Sequence, residues 1–189
     1  MLGTDVDVVR FVMLKDRGNG GFTLIELMVT VAIVAVLVSL AAPSYHRLVI
    51  DSRMTSQAND FLTALHFTRS EAVKRNTTVT LCKSADGTAC TTSGTWAQGW
   101  IIFVDDDGTV GTVDAGDLVL RVHAPLTDDS TLVGNGTVTN LVTYQPNGQS
   151  PQSGQLDLCS VDTSLPGRDI TLSVSTGIPR TAIDDAPCS

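Results

Sequence analysis

Among its 189 residues the chain has almost none of the equipment of catalysis. Histidine occurs only as His46, His66 and His123. There is no Gly-x-Ser-x-Gly elbow, no zinc-ligand spacing and no Walker-type glycine loop. The chain reads as a non-enzyme with no cofactor and no bound metal. Four cysteines are present without a Cys-x-x-Cys pair, which favours disulfides over metal ligation. Cationic excess is also missing: 12 Lys and Arg face 20 Asp and Glu, a net charge of −8. That balance argues against broad, charge-driven nucleic-acid binding, although a small local basic patch remains compatible with it. No repeat, low-complexity tract or second hydrophobic span occurs.

What stands out instead is one apolar run, Thr23 to Ala42, in which Glu26 is the only charge. At about 1.5 Å per residue the run matches a roughly 30 Å hydrocarbon core. A carboxylate in such a place costs several kcal/mol unless it is paired. An α-amino group at Phe22 would be the natural partner if the chain were cut after Gly21. The segment 1–21 balances Arg10, Lys15 and Arg17 against Asp5, Asp7 and Asp16, so its loss leaves the net charge unchanged. A secretory signal would place its apolar region before the cut, whereas here the apolar run follows it. Met13 is a second candidate start; a leader from Met13 to Gly21 would be short and of positive charge, in keeping with the positive-inside tendency.

Pro43 should kink or break the helix near 40–42. Beyond it, Leu48, Phe61, Leu62, Leu65 and Val73 recur at helical spacings among charged residues, so one long helix is expected from about Thr23 to Asn76. From Thr77 onward the pattern alternates. Strands are expected over 78–82, 99–104, 118–122, 138–144, 155–159 and 169–175, with turn-rich pieces between them. The expected architecture is α+β: a long N-terminal helix, transmembrane in its first half and amphipathic in its second, packed on an antiparallel β-sheet domain. Its divisions are a leader at 1–21, a stem at 22–42, an amphipathic helix half at 43–76 and a β-rich domain at 77–189, the last three forming one domain and its anchor. The cysteines fall into two natural pairs, Cys82 with Cys90 and Cys159 with Cys188, but three connectivities stay open. Trp96 and Trp100 are expected in the core. The acidic stretch Asp105 to Gly108, with Asp114 and Asp117, reads as a solvated hairpin loop ahead of a Ca²⁺ site, because it lacks the EF-hand spacing and terminal Glu.

The junction Gly21-Phe22-Thr23-Leu24-Ile25-Glu26-Leu27-Met28 resembles the processing site of type IV pilins and type II secretion pseudopilins. Trp96-Ala-Gln-Gly-Trp100-Ile-Ile-Phe-Val-Asp105, Gly116 to His123, Tyr144-Gln-Pro-Asn-Gly148, Leu158-Cys159 and Gly167-Arg168-Asp-Ile-Thr-Leu172 are similar, in order, to the GspH/FimT family. The resemblance implies a pilin-like fold, cleavage between Gly21 and Phe22 by a prepilin peptidase, and N-methylation of Phe22. It implies a single-pass subunit of the bacterial inner membrane with a periplasmic domain. Such a subunit enters a pilus or pseudopilus through its helix, where Glu26 pairs with the Phe22 amine of a neighbouring subunit. It also implies a minor type IV pilin that acts at the fibre tip and helps initiate assembly. The alternatives are a DNA-binding minor pilin for DNA uptake and a minor pseudopilin of type II secretion. Some family members bind DNA through a C-terminal Gly-Arg-x-Arg motif; here the stretch reads Gly177-Ile178-Pro179-Arg180, so one Arg is missing. Lys83, Arg168 and Arg180 are the candidate DNA contacts.

Overall fold

The computed structural model describes residues 21–105, 109–127, 130–160, 162, 165–174 and 176–187, without the side chains of 40–44 and 184–187. The proposed leader, both candidate starts, Asp106 to Gly108 and Cys188 lie outside the described residues. Two compact units meet after Pro43.

Helix α1 covers Leu24–Arg75 and contributes to both units. Thr23 opens it by accepting the Glu26 backbone N–H on Oγ1 at 3.3 Å, and its carbonyl accepts the Leu27 N–H at 3.1 Å. Thr23 with Glu26 three places on is a capping-box sequence. The helix continues through Pro43, which has no N–H to offer the Ser39 carbonyl. Asn76 ends the helix at φ 53°, a left-handed conformation that Asn tolerates. With it the Asn76 N–H reaches Val73 O and the Thr77 N–H reaches Ala72 O, a Schellman arrangement.

In the second unit α1 buries Met54, Ala58, Phe61, Ala64, Leu65, Thr68 and Ala72, a regular spacing of three and four. Leu48 and Val73, expected on that face, are exposed. Small residues form much of the true seam, and a small side chain gives little hydrophobic signal while letting helix and sheet approach closely.

Among the described residues eight strands follow: β1 (Val79–Lys83), β2 (Trp100–Val104), β3 (Val119–His123), β4 (Thr131–Gly134), β5 (Leu141–Tyr144), β6 (Gly154–Cys159), β7 (Pro166–Leu172) and β8 (Pro179–Pro187). They form two four-stranded sheets, ordered β3-β2-β1-β5 and β4-β6-β7-β8, with antiparallel pairs throughout. β4 and β8 were not expected from the sequence. The expected strand at 138–144 begins instead with a 3-10 turn over Gly136–Val138, leaving β5 to start at Leu141.

One core lies between α1 and both sheets. Phe61 is its pivot, meeting Trp96 and Trp100 edge-on with centroids 5.2 and 5.1 Å away. The Trp96 indole N–H donates to Val138 O at 3.1 Å, so its burial leaves no orphan donor. β1 and β2 are buried on both faces, because a second, smaller cluster of Cys82, Ile101 and Phe103 sits on the outer side under Cys90, Val113, Val119 and Leu141. The acidic connection between β2 and β3 is therefore a cover, with Val113 pointing into the cluster.

Candidate functional site

In the first unit the described apolar side chains are exposed. Leu24, Ile25, Leu27, Met28, Val29, Val31, Ile33, Val34, Val36, Leu37 and Val38 are each at least half exposed. A shallow groove of about 360 Å³ runs along Val29, Ala32, Ile33, Val36 and Leu37. The hydroxyls on this stretch return to their own helix: Thr30 donates to Leu27 O at 2.9 Å and Ser39 to Val36 O at 2.7 Å. Satisfied in that way, they can enter an apolar environment without stranding a donor. Glu26 is exposed in the first turn of α1, where a carboxylate complements the helix dipole. At Gly21 an added Cβ would meet nothing within 4 Å among the described residues, so packing does not require glycine there.

Among the described residues no helix is long and apolar enough to cross a membrane. The part of the stem whose side chains are described, 24–39, is about 24 Å long at 1.5 Å per residue, short of a roughly 30 Å core. The expected span continues to Ala42, past that limit.

The structure does not bring the three candidate cations together. Lys83 is buried at the end of β1, where its ammonium donates to Gly94 O at 2.8 Å and Thr92 O at 3.3 Å. Burial pushes its pKa below the usual lysine value. Arg168 lies on the helix-facing side of β7 with 8% of its side chain exposed, and pairs with Asp51 of α1 at 2.5 Å. It also donates to Gly167 O, Pro166 O and Thr55 Oγ1. Arg180 opens β8 opposite Thr171, on the other face of the same sheet. There it is exposed and borders a cleft of about 310 Å³ with Thr171, Ser173, Thr176 and Ile178. Asp51 was not singled out in the sequence. It lies 117 positions from Arg168, and no local spacing marks such a pair.

Cys82 is joined to Cys90 with Cα atoms 5.6 Å apart, tying β1 to the loop after it. Inside that loop Asp86 Oδ1 accepts the N–H groups of Thr88 and Ala89, and those bonds hold its carboxyl down at about 2. Cys159 is disulfide-bonded as well; Cys188, its expected partner, lies outside the described residues.

The family model described as Type II transport protein GspH matches residues 57–177, well over half of the chain. The chain belongs to the GspH family. A second match, the prokaryotic N-terminal methylation motif, covers residues 16–42 and so contains the Gly21–Phe22 junction and the stem. GspH-family proteins are minor pilins and minor pseudopilins, structural subunits that assemble with other pilins. Among solved structures the chain is similar to the type IV minor pilin FimU of Pseudomonas aeruginosa. Identity is 20%, 70% of this chain and 89% of FimU are covered, and the TM-score is 0.52. A second similar structure is the minor pseudopilin EpsH from the type 2 secretion system of Vibrio cholerae. Identity there is 10%, coverage is 69% of this chain and 97% of EpsH, and the TM-score is 0.49. The FimU likeness speaks to the fold: one α-helix packed on antiparallel sheets. No protein of curated function matches the chain.

Proposed function

We propose that this chain is a minor type IV pilin, a structural subunit that acts at the fibre tip and helps to initiate assembly. The single observation that supports this reading best is the unburied apolar stem, a surface that a lone folded domain would not keep. Before assembly, bilayer lipid covers it, with the N-terminus cytoplasmic and the β-rich domain periplasmic. During assembly the stems of other pilins replace the lipid, and leucine and valine side chains stay dry throughout. Prepilin peptidase cuts after Gly21 and Phe22 becomes the N-methylated N-terminus. A glycine that packing among the described residues does not demand is well suited to being read by an enzyme.

Once the chain is cut, the new N-terminus at Phe22 carries a cation four residues from Glu26. The Glu26 carboxylate pairs with the Phe22 amine of an adjacent subunit. Loss of one partner from a buried pair costs about 3–5 kcal/mol. Glu26→Ala should therefore leave the domain folded and the chain processed, yet remove it from sheared fibres. Normal amounts of the variant in that fraction would sink the mechanism.

A second reading, a minor pseudopilin in type II protein export, is favoured by the description of the matching family model. Deletion of the chain distinguishes the two readings, since one predicts loss of pili and the other loss of secreted proteins. A DNA receptor draws less support, because only Arg180 of the three candidate cations faces outward beside hydroxyl groups.

A further inference from the structure

Among the described residues three of the four sheet edges are blunted. In β5 the Thr143 N–H donates to Gln152 Oε1 at 2.9 Å, so a side chain stands where a next strand would pair. β4 is four residues long, with Gly134 against the Trp96 indole. β3 has a register shift opposite Ile102 and Phe103, and its Arg121 lies over the Phe67 ring at 4.0 Å. Short strands, bulges and charges are the usual protections of an edge. The fourth edge, β8, is less protected. Its regular pairing with β7 runs over 179–183, and only beyond Ile183 do three residues, 184–186, oppose the single Gly167. No described strand pairs with the outer side of β8.

Beside that edge the sheet is too narrow to cover its helix. Cross-strand partners point to the same side of a sheet. Thr181 is opposite Ile170 and Ile183 is opposite Arg168, two residues buried against α1. Yet Thr181 is exposed and Ile183 is 61% exposed. A groove of about 360 Å³ separates them from Asp51, Thr55, Ala58 and Asn59 of α1. Ile183 is thus an apolar side chain turned towards the helix and still in water, a position that a further strand alongside β8 would bury.

Charge selects the occupant. Asp51 neutralises Arg168 while 46% of its own side chain stays exposed. Asp184 and Asp185 follow Ile183 in the sequence, so this end of the groove counts three Asp against one Arg. A second copy of β8 laid alongside would bring like charges together, which is unfavourable. We propose that the open edge of β8 takes up an extended, basic segment of another protein as an added strand. An apolar side chain of that segment covers Ala58 and Ile183, and a Lys or Arg on the same face reaches Asp51. Main-chain bonds to β8 supply affinity, and the alternate side chains that enter the groove set the choice of partner. This contact belongs to the β-rich domain and does not depend on the stem.

The test uses the full, oxidised chain in a non-ionic detergent that covers the stem. The probe is the fluorescein-labelled peptide Thr-Val-Thr-Lys-Thr-Val-Thr, which has Val and Lys on one face and the same sequence in both directions. Saturable binding by anisotropy is expected, with amide hydrogen exchange slowed over 179–183. Replacing the peptide Lys by Glu should weaken binding roughly tenfold, the loss of one charge-assisted contact. Ile183→Lys changes an exposed side chain and should reverse that preference, so that the Glu peptide binds more tightly than the Lys peptide. Thr181→Lys, on the same face, decides the matter if that variant fails to fold. Absence of binding at millimolar peptide overturns the proposal, as does an unchanged preference in the folded variant. Protection of 179–183 that grows with protein concentration and needs no peptide would overturn it in favour of a second copy.

Discussion

Removing Asp51 should harm this protein more than removing Arg168, although the two form one ion pair. Only 8% of the Arg168 side chain is exposed, against 46% for Asp51. Asp51→Ala leaves a guanidinium between helix and sheet with no counter-charge. It retains bonds to Gly167 O at 3.1 Å, Pro166 O at 3.3 Å and Thr55 Oγ1 at 3.4 Å. Stranding one partner of a fully buried pair costs about 3–5 kcal/mol, and the half-exposed carboxylate and remaining bonds reduce this to about 2–3 kcal/mol. Arg168→Met has the opposite balance. The desolvated charge disappears, the apolar stem is kept and Asp51 returns to water, so the expected loss is within about 1 kcal/mol. Urea unfolding of residues 44–189, followed by circular dichroism, measures both variants. In the double variant most of the Asp51→Ala loss should vanish, since no stranded cation is left. If Arg168→Met were as costly as Asp51→Ala, the reasoning would be wrong, and the guanidinium would be a net stabiliser by virtue of its own hydrogen bonds.

Other outcomes follow from the same coordinates. Replacing Cys82 and Cys90 with serine should lower stability by about 2–3 kcal/mol in urea unfolding, from the entropy of the short loop that the bridge closes. Arg180→Ala should weaken any binding of double-stranded DNA at low salt, as read by fluorescence anisotropy. Arg168→Met should leave such binding unchanged, because that guanidinium faces the helix. Burial, aided by Asp117 and Asp114, raises the Asp105 pKa above its usual 3.8. The folded state thus holds the proton more tightly than the unfolded one. The contribution of this group to stability should therefore rise as pH falls through the raised value towards 3.8, with no further gain below 3.8. Melting curves of the wild type and Asp105→Asn from neutral pH down to about 3.8 test it; parallel curves would contradict it.

Much of the helix-on-sheet fold was legible in the sequence because periodicity changes at Thr77, and because Trp100 to Val104 is a continuous apolar run of the kind that a doubly buried strand shows. β8 was hidden for the reason that makes it tolerable. It begins with Pro179 and contains Asp184 and Asp185, residues that fit only at the edge of a sheet. The helix seam was misread because Ala58, Ala64 and Ala72 carry a weak hydrophobic signal where Leu48 and Val73 carry a strong one. Among the candidate contacts, exposure was not legible. Lys83 and Arg168 look like surface cations in sequence, and only the distant carbonyls and carboxylate that meet them account for their burial.

The 117 positions between Asp51 and Arg168 also order events in time. A chain made from its N-terminus exposes the whole of α1 long before β7 exists, so Asp51 waits for its partner after Phe61 has already met Trp96 and Trp100. Ile170 and Leu172, which share that core, arrive on the same late strand. Local helix formation is fast, whereas contacts of such separation close slowly. A chain cut short before β7 would keep its stem, the disulfide between Cys82 and Cys90 and the contacts of Phe61 with Trp96 and Trp100, but would lack Ile170, Leu172 and the partner of Asp51. Completion of the C-terminal sheet is thus the checkpoint at which a finished subunit becomes distinguishable from an unfinished one.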